Sequence, residues 1–168
     1  MSDTTPGSTR DAERRTLRFE SLADVLADAE HVLSGPHRVT GNWSAAEIVG
    51  HVGDLLGIGN GTLDVAPLPL PLRMFGRILH KVGATRRPIK AGIKAPDFVD
   101  EALAAHRAAG EDGALAHLRE QTRIAESPAG LTKPSPLFGR LSRAEWITLH
   151  CRHAELHFSF LHPDSDAG

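Results

Sequence analysis

The chain has 168 residues, of which 40% are hydrophobic and 24% charged, and its formal net charge is −2 at pH 7 with histidine neutral. This composition supplies enough apolar side chains for one folded domain and excludes a largely disordered chain. The nearly balanced charge argues against a nucleic-acid-binding protein, and the single cysteine excludes an internal disulfide.

Both ends of the chain are polar. We expect residues 1–16 to be a flexible lead-in, residues 17–162 to form a single domain, and residues 163–168 to be a flexible tail. The lead-in lacks the apolar region of a secretory signal, and no apolar run approaches the ~18–20 residues of a membrane span. We therefore expect a cytoplasmic protein that is not stably inserted in a membrane.

Apolar residues at helical spacing predict the first two helices. Ser21 with Asp24 marks the start of the first helix, which Gly35–Pro36 ends. Ser44, followed three residues later by Glu47, has the capping-box pattern that opens the second helix.

The second half of the chain is also predicted to be helical. A proline-rich hinge and a long irregular connection separate the second helix from helices expected at residues 97–109 and 112–126. A further capping box, Ser142 with Glu145, opens a last helix that we expect to reach Leu161. No strand is predicted, so the pattern favours an all-α fold, a four-helix bundle with a long irregular connection between its middle helices.

The last helix carries three of the ten histidines. On a helical wheel His150, His153 and His157 share the stripe of Trp146 and Phe160, which we expect to face the bundle interior and line a pocket. The opposite face is predicted to carry the polar residues Arg152, Glu155 and Ser159. His153 and His157 are spaced i, i+4, so both imidazoles can bind one metal ion if a third ligand comes from another element.

His51 on the second helix is the candidate for that third ligand. Glu47 and Asp54 flank it, and either carboxylate could accept the second ring N–H of His51; Glu47 is also the candidate general base. The competing interpretation is that each histidine is an ordinary hydrogen-bonded core residue. His150 is interpreted as lining the pocket, with a fourth-ligand role as the alternative. The remaining histidines lack partners at ligand spacing and are predicted to lie on the surface: His31, His37, His80, His106, His117 and His162.

Several segments together resemble the DinB-like superfamily, in a branch of domains of unknown function. They are Asn42-Trp43-Ser44 before His51, the run from Pro136 to Ser142 leading through Trp146 to His153 and His157, and the opening Arg14–Phe19. The resemblance implies a four-helix bundle with a divalent ion (nickel, zinc, iron or manganese) held by His51, His153 and His157. Many members have a doubled histidine before the last ligand, where this chain has Leu156.

The segment from residue 72 to 82 is apolar and basic, with Arg73, Arg77 and Lys81 on one helix face. The simplest interpretation is a solvated amphipathic helix. A second is a cationic rim that attracts an anionic ligand, such as a carboxylate-bearing thiol cofactor. A third is contact with a membrane surface.

These observations predict a small metal-dependent enzyme that activates water or a low-molecular-weight thiol on a small-molecule substrate, as a hydrolase or thiol transferase. The alternative is a non-catalytic helical protein that binds a metal or a small ligand. A homodimer is compatible with the sequence, which contains no feature that requires one.

Overall fold

The computed structural model describes residues 12–90 and 98–164, and this part of the chain is mostly helical. Its elements in chain order are α1 (Leu22–Leu33), β1 (His37–Val39), α2 (Ala45–Asn60), α3 (Leu70–Lys81), a 3₁₀ turn (Ala84–Arg86), α4 (Phe98–Glu126), α5 (Arg143–Phe158) and β2 (Leu161–Pro163). Most of the predicted lead-in, part of the predicted irregular connection and most of the predicted tail lie outside the described residues.

The three predicted capping boxes are confirmed. At each one the serine hydroxyl accepts a backbone N–H and the acidic side chain accepts the N-cap N–H in return, at Ser21 and Asp24, Ser44 and Glu47, and Ser142 and Glu145. A cap of this kind contributes ~1 kcal/mol to stability. These caps fix where α1, α2 and α5 begin.

α4 contains the two helices predicted at residues 97–109 and 112–126. They are joined across a sharp break at Gly110, whose φ of 72° and ψ of −178° are not helical. A positive φ of this size is readily adopted only by glycine among common residues. Both parts of α4 contact α2, because His106 reaches Gly50 and His117 reaches Gly53.

The core lies among α1, α2, α4 and α5. Val25, Val52, Leu118, Trp146 and Phe158 are almost completely buried in one continuous hydrophobic cluster. Burying a side chain of this kind stabilises the fold by ~1.5–3 kcal/mol. By contrast α3 lies at the edge, and its large apolar residues are mostly exposed: Leu70, Leu72, Met74, Phe75 and Ile78.

The two strands were not predicted. β1 and β2 pair antiparallel with Val39 opposite Leu161, and the Thr40 N–H donates to the Phe160 carbonyl at 3.0 Å. The expectation that the last helix reaches Leu161 is therefore wrong in its last turn, and the predicted flexible tail includes the strand residue Pro163. The chain after α5 pairs with the segment after α1 instead of continuing as helix, and Pro163 has no N–H with which to extend one.

The segment before α1 packs against α5. Arg15 binds Asp28 through two hydrogen bonds of 2.9 and 2.7 Å, and its backbone N–H donates to the Ser159 carbonyl at 2.8 Å. Arg15, which the sequence places in the predicted flexible lead-in, is therefore held against α1 and α5. The same segment covers the face of α5 that was predicted to be polar, so Arg152 is buried and donates to the Phe19 carbonyl at 2.6 Å. The face predicted to lie opposite the bundle interior is therefore also packed against another part of the chain.

Candidate metal centre

The three histidines predicted as metal ligands lie together between α2 and α5. The Nε2 atoms of His51 and His153 are 3.2 Å apart. Each of His51, His153 and His157 offers a ring nitrogen, and these nitrogens all lie within 4.8 Å of one another. Two nitrogens bound to one ion at ~2.0–2.1 Å in tetrahedral geometry would be ~3.3 Å apart, so the distance between the His51 and His153 nitrogens fits a shared cation.

An indole ring closes one side of this cluster. Trp43 stacks on His157 with ring centroids 5.0 Å apart and planes within 6°, and it meets His51 edge-on at 5.0 Å. Trp43 lies outside the helix and gives no periodic signal, so in the sequence it stands out only as part of the family resemblance. Its contacts restrict the orientation of two of the three imidazoles.

Burial keeps these imidazoles neutral. It lowers the pKa of His51 to about 4, against the opposing effect of the Asp54 carboxylate. Burial, followed by the neighbouring histidines, lowers the pKa of His153 and of His157 well below the usual value for histidine. Neutral imidazole is the form that ligates metal ions. In addition, the Nδ1 atom of His153 is buried without a hydrogen-bond partner among the described residues. The residues present therefore fit a divalent cation.

The other residues predicted to line the pocket occupy different surroundings. His150 is completely buried, is not part of the three-histidine group, and has a pKa lowered to about 3 by burial. Trp146 packs beside Gly59, and its indole N–H donates to the Lys133 carbonyl at 3.0 Å. Phe160 lies under the guanidinium of Arg14, 5.8 Å from the ring centroid.

Glu47 is engaged in helix capping and an ion pair. It is buried, accepts the Ser44 backbone N–H at 2.7 Å, and bonds Arg107 through its other oxygen. Burial raises the pKa of Glu47, but the bonds from Ser44 and Arg107 outweigh it and the net shift is downward. A carboxylate held in this way is a weak proton acceptor, so the structure adds no support to Glu47 as a general base.

Asp54 contacts two histidines of α4. Its oxygens lie 2.8 Å from His106 Nε2 and 3.0 Å from His117 Nε2. The Asp54 carboxylate, predicted as an acceptor for His51, is thus engaged with α4 instead. The prediction that His106 and His117 are surface residues is wrong, because both are half-buried in this contact. His37 and His80 are also half-buried, and His162 is buried. The contact was missed because it joins residues more than fifty positions apart.

Two of the three predicted rim residues line a cleft. Arg73 and Arg77 face a cavity of about 550 Å³ together with Lys133 and Arg140, and Asp64 is the acidic residue of its lining. Lys81 is exposed and lies outside that lining. The cleft therefore concentrates positive charge between α3 and the segment before α5.

Among the described residues, no helix combines the length and the apolar character needed to cross a bilayer. Comparison with curated proteins and with solved structures gives no match. A family described as "Protein of unknown function (DUF1569)" matches residues 11–164. Since this match covers most of the chain, the protein belongs to the DUF1569 family.

Proposed function

We propose that the protein is a metal-dependent enzyme of the DinB-like type. In this proposal α1, α2, α4 and α5 form the four-helix bundle, and His51, His153 and His157 hold one divalent cation. The observation that carries the proposal is that one ring nitrogen from each of three imidazoles, on two helices, lies within 4.8 Å of the others. Half-buried imidazoles lose part of their hydration, which is costly without a shared partner.

The residues around the cluster have separate tasks. α5 presents His153 and His157 one turn apart, α2 supplies His51, and Trp43 holds two of the rings in place. A divalent cation bound there would supply Lewis acidity that lowers the pKa of a water or thiol towards neutrality. His150 is not part of the three-histidine group. This favours a centre with three protein ligands and an open position for substrate, rather than a closed site with four protein ligands.

The positive charge of the cleft beside α3 favours a small anionic substrate. Ile58 lines the cleft and follows His51 by two turns of α2, which is ~10 Å along the helix. Arg77 and Arg140 could hold a carboxylate at one end of an extended molecule while its reacting group lies at the histidines. A carboxylate-bearing thiol matches both features, and thiol transfer and hydrolysis are the two reactions proposed.

Cobalt provides a direct test of the centre. We would load metal-free, untagged protein with Co²⁺ and count bound ions for the wild type, His157→Ala and the control His31→Gln, whose residue is exposed on α1. His157→Ala should bind one ion fewer than the wild type, and His31→Gln should match the wild type. An unchanged ion count in a folded His157→Ala variant would refute the site.

Two thiols test whether the bound metal has an open coordination position and whether the cationic cleft binds an anionic group. Addition of glutathione or the uncharged mercaptoethanol to the Co²⁺ protein should perturb its visible absorption, and His157→Ala should reduce that response. Glutathione should bind more tightly than mercaptoethanol, and Arg77→Gln should reduce this preference several-fold. A spectrum that neither thiol alters would favour the alternative, a non-catalytic metal-binding protein. Equal binding of both thiols by the wild type would refute the anionic substrate.

A further inference from the structure

A second group of ligand-type side chains lies between α2 and α4. One Asp54 oxygen is 2.8 Å from His106 Nε2, and the other is 3.0 Å from His117 Nε2. One ligand atom from each of the three residues lies within 4.8 Å of the others, and the two imidazole centroids are 5.3 Å apart. This group uses none of the three histidines of the candidate metal centre.

The backbone of α2 is shaped to admit both rings. A Cβ atom added at Gly50 would lie 2.2 Å from His106 Cγ, and one added at Gly53 would lie 2.7 Å from His117 Cδ2. Glycine inside a helix is destabilising, so two glycines one turn apart need a compensating reason. Here they let two imidazoles lie directly against the helix on either side of the Asp54 carboxylate.

The break in α4 brings the histidines together. His106 and His117 are eleven positions apart, which is ~16 Å along a continuous helix. The non-helical conformation at Gly110 redirects the chain between them, and their ring centroids are 5.3 Å apart. Two independent backbone features, the α2 glycines and the α4 break, thus serve the same convergence.

The cluster is charged and accessible. Burial raises the pKa of Asp54, but the bonds from His106 and His117 outweigh it and lower that pKa to about 2, so the carboxylate is ionised. The side chains of Asp54 and His106 are 11% and 13% exposed, whereas that of His117 is 29% exposed. A cation could therefore enter from the His117 side, where water can complete its coordination.

We propose that Asp54, His106 and His117 form a second divalent-cation site, distinct from the three-histidine centre. Two imidazoles and one carboxylate suit Zn²⁺, Fe²⁺ and other first-row transition ions. Because the Asp54 carboxylate is negatively charged, the net charge of an ion bound here would be one unit lower than that of the same ion bound by three neutral histidines. His51 and Asp54 lie one turn apart on α2, so this helix contributes a ligand to each site.

Zinc stoichiometry tests the proposal. Metal-free, untagged wild-type protein should bind two Zn²⁺ from a chelator-buffered solution. Asp54→Asn, which keeps an acceptor for the histidines, and His117→Gln should each bind one, as should Gly53→Ala, which blocks the His117 ring. His157→Ala should also bind one, the double variant Asp54→Asn/His157→Ala none, and the control His31→Gln two.

This set of variants distinguishes refutation of the second site from refutation of the three-histidine centre. If Asp54→Asn and His117→Gln bind as many ions as the wild type, the second site is refuted, and Asp54 is a hydrogen-bonded link between α2 and α4. If they lose one ion while His157→Ala loses none, the second site stands and the three-histidine centre is refuted. Circular dichroism establishes that each variant is folded. Should Asp54→Asn not fold, the more exposed His117→Gln decides the outcome.

Discussion

Replacement of His150 by leucine should make the protein less sensitive to acid. The imidazole is completely buried, and neither ring nitrogen has a hydrogen-bond partner among the described residues. Burial lowers its pKa to about 3, whereas an unfolded histidine titrates near 6.5. Between these two values the unfolded chain binds the proton and the folded chain does not, so the free energy of unfolding falls as the pH falls.

The size of this effect follows from the two pKa values. At pH 7 both states are mostly neutral, while at pH 5 the unfolded histidine is protonated and the folded one is not. At ~1.4 kcal/mol per pKa unit, His150 alone should cost ~2 kcal/mol of stability between pH 7 and pH 5. Other histidines whose pKa is lowered by burial, such as the half-buried His51, add losses of the same sign.

Urea unfolding of metal-free protein at pH 7 and pH 5 measures the loss. His150→Leu should lose ~2 kcal/mol less than the wild type between the two pH values, because leucine carries no proton and has a similar volume. The control His31→Gln, at an exposed position, should lose as much as the wild type. Identical pH dependence in His150→Leu and the wild type would show that the buried imidazole does not carry the proton linkage.

Three further predictions concern other parts of the molecule. Paramagnetic Co²⁺ at the three-histidine centre should quench the fluorescence of the stacked Trp43, so Trp146→Phe should retain the quenching and Trp43→Phe should lose most of it. Gly76→Ala would place a Cβ 2.3 Å from a backbone carbonyl oxygen and should cost ~1–3 kcal/mol in urea unfolding, whereas Gly35→Ala, with open space around it, should cost little. Burial raises the pKa of Cys151 to about 12, so this thiol should react with a disulfide reagent only after unfolding; rapid reaction of the folded protein would contradict its burial.

Local signals in the sequence predicted much of the fold and the first cluster. The capping boxes depend on residues three positions apart, and His153 and His157 share one helix face through their four-residue spacing. The third candidate ligand, His51, was inferred from its helix position together with the family resemblance. Each of these features is visible within one helix.

Features that depend on packing between distant segments were not predicted. Asp54 meets His106 and His117 only because both parts of α4 dock on α2. Arg152 is buried because the segment before α1 covers it, although its position on the helical wheel looks solvent-facing. The strands are three residues long, which is too short for alternation to be recognised.

The glycines of α2 also affect how the protein folds. Gly50, Gly53 and Gly59 accept neighbouring side chains at close range, but each lowers the intrinsic helix propensity of α2. An isolated helix of this sequence would be too unstable to nucleate by itself. We therefore expect α2 to become helical only as the elements that pack against it fold. Its amide hydrogens should exchange with solvent only through global unfolding.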